Sequence, residues 1–193
     1  DKKNIAQKIQ EGKDYIDLAN KIGASFIRVL GDEAPQPKDD IDEGFVAENL
    51  SLLASYAEGK GVKVLIETNG QFADSDKILN LLKKVDSPNV GLLWDIHHPY
   101  RFMNESVSET YQKLKDYIEY IHLKDSVIEN DKVKYKMVGH GDIPVKETLL
   151  MLKENGYKGY VSLEWVKRWC LELEEPGVAF SNYINFVKGV IEG

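Results

Sequence analysis

One unit recurs along this chain: a short β-branched or leucine-rich run, a polar loop, then an amphipathic stretch long enough for a helix. Each strand must then run parallel to the one before it, because the intervening helix carries the chain back to its starting end. The predicted strands are Phe26 to Gly31, Val62 to Glu67, Val90 to Asp95, Ile118 to Leu123 and Tyr160 to Glu164, with starts 28 to 42 residues apart. The predicted helices are Ile5 to Ile22 (closed by Gly23), Phe45 to Lys60 (ended by Gly61), Asp74 to Val85, Val107 to Tyr117, Pro144 to Asn155 and Ala179 to Ile191. Lys132 to Val138 reads as an extra short strand. With no linker and no low-complexity stretch, this pattern predicts a single α/β domain over residues 1–193.

Composition excludes several classes of function. At 42% hydrophobic, 193 residues supply a sizeable core. A balance of 25 basic against 32 acidic side chains, net −7, argues against a nucleic-acid partner, whose binding feeds on a basic face. No apolar run approaches the roughly 18 residues of a membrane span. The single cysteine, Cys170, allows no internal disulfide and fits a reducing, cytoplasmic setting.

The strand ends carry the chemistry. Buried parallel strands should be apolar throughout, yet four of the five finish on Glu67, Asp95, His122 and Glu164. Side chains at the carboxyl ends of parallel strands can converge, which is where α/β barrels build their sites. Three carboxylates gathered there repel one another unless a cation neutralises them. Oxygen donors with one imidazole suit Mn²⁺, Mg²⁺ or Co²⁺, and admit Zn²⁺.

Taken in order, Leu65-Ile66-Glu67-Thr68-Asn69, Leu93-Trp94-Asp95-Ile96-His97-His98, Ile121-His122-Leu123-Lys124-Asp125, Gly139-His140-Gly141-Asp142 and Gly159-Tyr160-Val161-Ser162-Leu163-Glu164-Trp165 resemble the xylose-isomerase-like TIM-barrel superfamily of sugar isomerases and epimerases. The resemblance implies a (β/α) barrel that is incomplete here, the chain beginning before the fourth strand with the first three absent. It makes Glu67, Asp95, His122 and Glu164 metal ligands, with Glu67 and Glu164 also acid and base. It gives His98 a contact to a substrate oxygen. Lys124, two residues beyond His122 and so pointing the same way, either neutralises an enediolate or binds a substrate anion, or else pairs with an acid such as Asp125. Trp94, with Trp165, Trp169 and Phe72, is either a sugar-pocket wall or a core plug. Arg168 and Lys167 are candidates to hold a substrate carboxylate or phosphate. His97 is a supporting or simply packed residue, and Asp142 caps the helix that Pro144 opens. Two departures stand out: His140 occupies a position where the family commonly has Glu, and Ile128 one where rare-ketose epimerases carry Arg.

The expected activity is metal-dependent proton transfer through an enediolate on a ketose, aldose or sugar acid. A dehydratase of the inosose or shikimate type would use the same proton abstraction. A non-catalytic binding or assembly module is the reading from a different class. The related apurinic endonucleases need more than four histidines and a DNA-binding face. A sheet missing three strands leaves edges open, so a homo-oligomer is expected to cover them.

Overall fold

A computed structural model describes residues 4–38 and 40–193. The elements run α1 (Ile5–Ile22), β1 (Phe26–Val29), α2 (Glu43–Ala57), β2 (Lys63–Glu67), α3 (Ser75–Val85), β3 (Val90–Asp95), α4 (His97–Met103), α5 (Val107–Leu114), β4 (Ile118–Leu123), β5 (Asp125–Glu129), β6 (Lys132–Lys136), α6 (Val145–Glu154), β7 (Tyr160–Leu163) and α7 (Pro176–Glu192). Five strands form one sheet in the order β1-β2-β3-β4-β7, and β5 and β6 form a separate antiparallel pair. The sheet is parallel, in registers that place Arg28 beside Leu65, Glu67 beside Leu93 and His122 beside Ser162. The parallel α/β sheet is what the repeat predicts, and the incomplete TIM-barrel architecture is what the family resemblance implies. No helix among the described residues is long and apolar enough to cross a membrane.

The helices start and stop where side-chain chemistry tells them to. Asp42 opens α2 by accepting from the Phe45 amide, and Asp74 opens α3 by accepting from Asp76 and Lys77. α1 closes on Gly23, whose left-handed φ of 75° lets its amide reach Ala19 and Asn20. The chain packs as two compact units: the stretch to Leu93 with Lys113–Glu119, and Trp94–Gln112 with Tyr120–Gly193. In the first, Leu50 and Leu53 of α2 and Ile78, Leu81 and Leu82 of α3 are buried, as are Val64, Leu65 and Ile66 of β2. In the second, Ile121 and Leu123 of β4 are buried, as are Leu149 and Leu152 of α6. Each such aliphatic side chain contributes about 1.5–3 kcal/mol by leaving water.

One local reading is corrected, and two elements are added to those predicted. α5 stops at Leu114 rather than Tyr117, whose amide instead closes a turn on Leu114. The residues before Lys132 form a further strand, β5, joined to β6 by Asn130 and Asp131 at φ 52° and 58°, a hairpin turn that Asn and Asp tolerate. α4 is an additional helix directly after β3.

Candidate metal centre

Asp95, His122 and Glu164 stand at or just beyond the ends of β3, β4 and β7. Each offers one ligand atom, and these atoms lie within 4.8 Å of one another. The Glu164 amide donates to Leu123 O, fixing where the chain turns off β7. His122 Nδ1 is 3.9 Å from Glu164 Oε1. Asp95 is fully buried and its two oxygens are divided: Oδ1 accepts from the His97 amide at 2.9 Å, starting α4, and Oδ2 faces Lys124.

Lys124, two residues beyond His122 and therefore on the same face of the strand, is the hub. Its ammonium donates to Asp95 Oδ2 at 2.6 Å, to His98 Nε2 at 2.8 Å and to Glu164 Oε2. An ammonium only donates, so His98 Nε2 accepts and the imidazole is neutral with its proton on Nδ1. Burial alone would strip the proton from Lys124; Asp95 and Glu164 outweigh it and raise the pKa above the ordinary lysine value. Burial likewise pushes the Asp95 carboxyl up, but the positive charge facing it, for which the Lys124 ammonium is the fixed source, holds it well below the carboxylate range.

A ring of supporting groups fixes this hub. His97 is buried and pushed down to about 2, by burial first and then by Lys124, so it is neutral. Its Nε2 meets Ser126 Oγ at 2.9 Å, and its ring lies 5.6 Å from that of Tyr135 on β6. Arg101 of α4 holds Ser126 O and pairs with Asp142. The Asp125 carboxylate sits in a nest of amides from Ser126, Gly139, Gly141 and Ile143. A Cβ at Gly141 would fall 2.0 Å from Asp125 Oδ1, so the glycine is required by this close approach.

Several expected site residues lie elsewhere. Trp94 is completely buried with its ring 5.9 Å from Tyr111 of α5, a core position; strand parity puts it opposite Asp95. Phe72 is also wholly buried. The Arg168 guanidinium lies over the exposed Trp169 ring, and Lys167 is tied to Leu171 O, Leu173 O and Glu175, so neither points into the centre. Trp165 donates to Glu174 O. Lys124 pairs with Asp95 and Glu164 rather than with Asp125. Asp142 does not cap α6; Pro144 takes the cap position and Arg101 takes the carboxylate. In the first unit, Glu67 is buried at the end of β2 and accepts from Arg28 at 2.9 Å. Arg28 was not singled out in the sequence, because its place beside Glu67 depends on the β1–β2 register. A cavity of about 340 Å³ beside Val90 and Tyr117 is lined by none of these groups.

Residues 1–182 match the model of the xylose isomerase-like TIM barrel family. The chain belongs to that family. It is 28% identical over 163 residues to fructoselysine 3-epimerase of Shigella flexneri, covering 81% of this chain and 58% of the relative. It is 26% identical over 136 residues to inosose dehydratase of Clostridium perfringens, covering 62% of this chain and 46% of the relative. Among solved structures, a xylose isomerase-like TIM barrel protein from Mycobacterium smegmatis in complex with magnesium superposes with a TM-score of 0.79 at 19% identity, covering 100% of this chain and 69% of that one. The chain therefore spans about half the length of the curated relatives it matches.

Proposed function

We propose that this chain carries the metal-binding and proton-transfer residues of an epimerase or isomerase acting on a ketose, with amine-linked ketoses of the fructoselysine kind as the first substrates to test. The observation that carries the reading is the convergence of the Asp95, His122 and Glu164 ligand atoms, with one buried ammonium held between the two carboxylates. We propose further that Glu67 joins them as the fourth ligand. The donor set fits a divalent cation: carboxylate oxygens with one imidazole nitrogen, and Lys124 already offsetting part of the acid excess. A cation held there supplies Lewis acidity that acidifies the C–H beside a sugar carbonyl.

The residues divide the remaining work. Glu164 keeps a side chain 21% exposed, so it reaches substrate and acts as the base that takes the carbon proton. Lys124 moves no proton; its raised pKa keeps it charged, and it stabilises negative charge developing on the sugar oxygens. His98 holds Lys124 in place by accepting from it. Glu67, ion-paired with Arg28, stands as the second carboxylate for returning the proton. Lys167 and Arg168, turned away from the centre, no longer argue for an acidic substrate. The likeness to inosose dehydratase leaves loss of water as the competing outcome.

The test has two readouts. Titration with Mn²⁺, followed by electron paramagnetic resonance, should show a saturable site that Asp95→Asn weakens at least tenfold. Incubation with fructoselysine in deuterated water should place deuterium on a sugar carbon without loss of mass as water. Failure of Mn²⁺ to bind removes the metal centre, and a dehydrated product replaces epimerisation with dehydration.

A further inference from the structure

The β5–β6 hairpin and the loop after β7 line a groove of about 250 Å³. Lys134, Tyr135 and Lys136 contribute from the hairpin, and Cys170, Glu172 and Glu174 from the loop. Tyr135 is common to this groove and the centre. Its register opposite Ser126 sets its ring against His97, and its phenol is near enough to feel Lys124, Asp95 and Glu164 as well as Cys170. The ring is half-buried, yet the hydroxyl makes no hydrogen bond among the described residues. A phenol so placed ordinarily finds a partner, and Tyr135 is one of the residues that line the groove.

The charges lining the groove are similarly unspent. Lys134, Glu172 and Glu174 form no side-chain hydrogen bond or ion pair among the described residues, and Lys136 reaches Glu129 at 3.1 Å rather than the loop acids. Ammonium groups on one wall and carboxylates on the other, not paired to each other, complement a guest that carries both charges at once. A bare ketose has neither.

We propose that this groove is a subsite for a zwitterionic, amino-acid-like group attached to the sugar, and that Tyr135 is the specificity-determining residue joining it to the centre. The inference rests on the ketose reading above and adds the part of the substrate that reading leaves open. The Tyr135 hydroxyl bonds the linker or the sugar oxygen nearest the groove, the guest's carboxylate faces Lys134, and its α-ammonium faces Glu172 and Glu174. Ketoses without the charged tail use the centre and leave the groove to water.

Calorimetric titration compares three probes: fructosyl-lysine, the butylamine analogue that has the linker but no zwitterion, and D-fructose. It is run with and without Mn²⁺ on the parent, on Tyr135→Phe and on the double variant Glu172→Gln/Glu174→Gln. The parent should bind fructosyl-lysine about tenfold or more tightly than the butylamine analogue, the equivalent of one good charged contact. The double variant, on exposed side chains that leave folding intact, should erase that preference while D-fructose is unchanged. Tyr135→Phe should weaken both amine conjugates and leave Mn²⁺ binding as in the parent. Equal affinity for the three probes, no binding of any, or a preference that survives the double variant overturns the subsite. Mn²⁺ binding, read from water proton relaxation in the same samples, reports separately on the centre.

Discussion

β3 and β7 deliver the same kind of side chain to one place from opposite circumstances. β3 is buried at all six positions and ends on Asp95, which has no exposed surface. β7 starts on Tyr160, 64% exposed, and none of its four residues is fully buried. The difference divides the labour between two carboxylates of identical charge. Asp95, with its oxygens committed to the His97 amide and to Lys124, is a fixed anion with no exposed surface. Glu164 shares Lys124 but retains an accessible edge, so it can meet a substrate carbon. In the proposed function the buried carboxylate sets the charge and the more exposed Glu164 is the reactive group.

The largest expected effect breaks the comparison at its exposed member. Glu164→Gln should lower solvent hydrogen exchange into the sugar by about 10²–10⁴-fold, the usual contribution of a general base, with stability to urea within about 1 kcal/mol because a half-buried amide replaces an acid of equal size. Retained exchange would transfer the base role away from β7.

Lys124→Met probes the buried member. It leaves Asp95 in the interior without its cation, which should cost about 3 kcal/mol or more in urea unfolding without added metal. Mn²⁺ should return part of that loss, because a dication supplies the missing positive charge. A change under about 1 kcal/mol would mean that the ammonium does not hold the cluster together.

How far this division was legible in the sequence depends on parity. Along a strand, alternate residues share a face, so His122 and Lys124 could be placed together, and the same rule, applied to Trp94 beside Asp95, sends the tryptophan to the core. The strand ends were legible because three acids and a histidine recur at matched positions of neighbouring strands, where any one alone could be a salt-bridged end as Glu67 is with Arg28. α4 was not, because it has only seven residues, Pro99 among them, and takes its start from Asp95 accepting the His97 amide, a tertiary arrangement. β5 escaped because Asp125-Ser126-Val127-Ile128-Glu129 holds only two apolar residues, and its partner strand supplies the order. Arg28 and the orientation of Arg168 depend on registers and loop packing that local spacing does not encode.

Between the two extremes stands β4, which continues into the hairpin and is tied down by the Asp125 nest. Gly141→Ala sharpens the contrast by attacking that tie alone. Its new methyl would meet Asp125 Oδ1 and the Ser126 carbonyl, at 2.0 and 2.5 Å, and neither can retreat without breaking the hydrogen bonds that the backbone N–H groups donate to the carboxylate. A loss of about 2 kcal/mol is expected, within the range of overpacking in a filled site. Hydrogen exchange should localise it: amides 139, 141 and 143 lose protection while those of β2 keep theirs. Uniform loss would mean the nest is not a separate fastening.

The smallest effect concerns how an exposed strand is anchored at all. Tyr183 of α7 is buried, and its hydroxyl donates to Val161 O in the middle of β7 at 2.7 Å. Burial first, then Tyr120, pushes its pKa up to about 12. The folded state therefore holds this proton more tightly than the unfolded chain, whose tyrosines titrate near 10. The stabilisation is complete below about pH 10 and is lost as pH rises from there through the folded value. Tyr183→Phe should cost about 1 kcal/mol at pH 8, the net value of one hydrogen bond. Between pH 10 and 12 the parent should lose stability faster than the variant and the two urea midpoints should converge. A gap that stays constant across that window would show that β7 is held by packing alone, and that the hydroxyl contributes nothing to positioning the strand that carries Glu164.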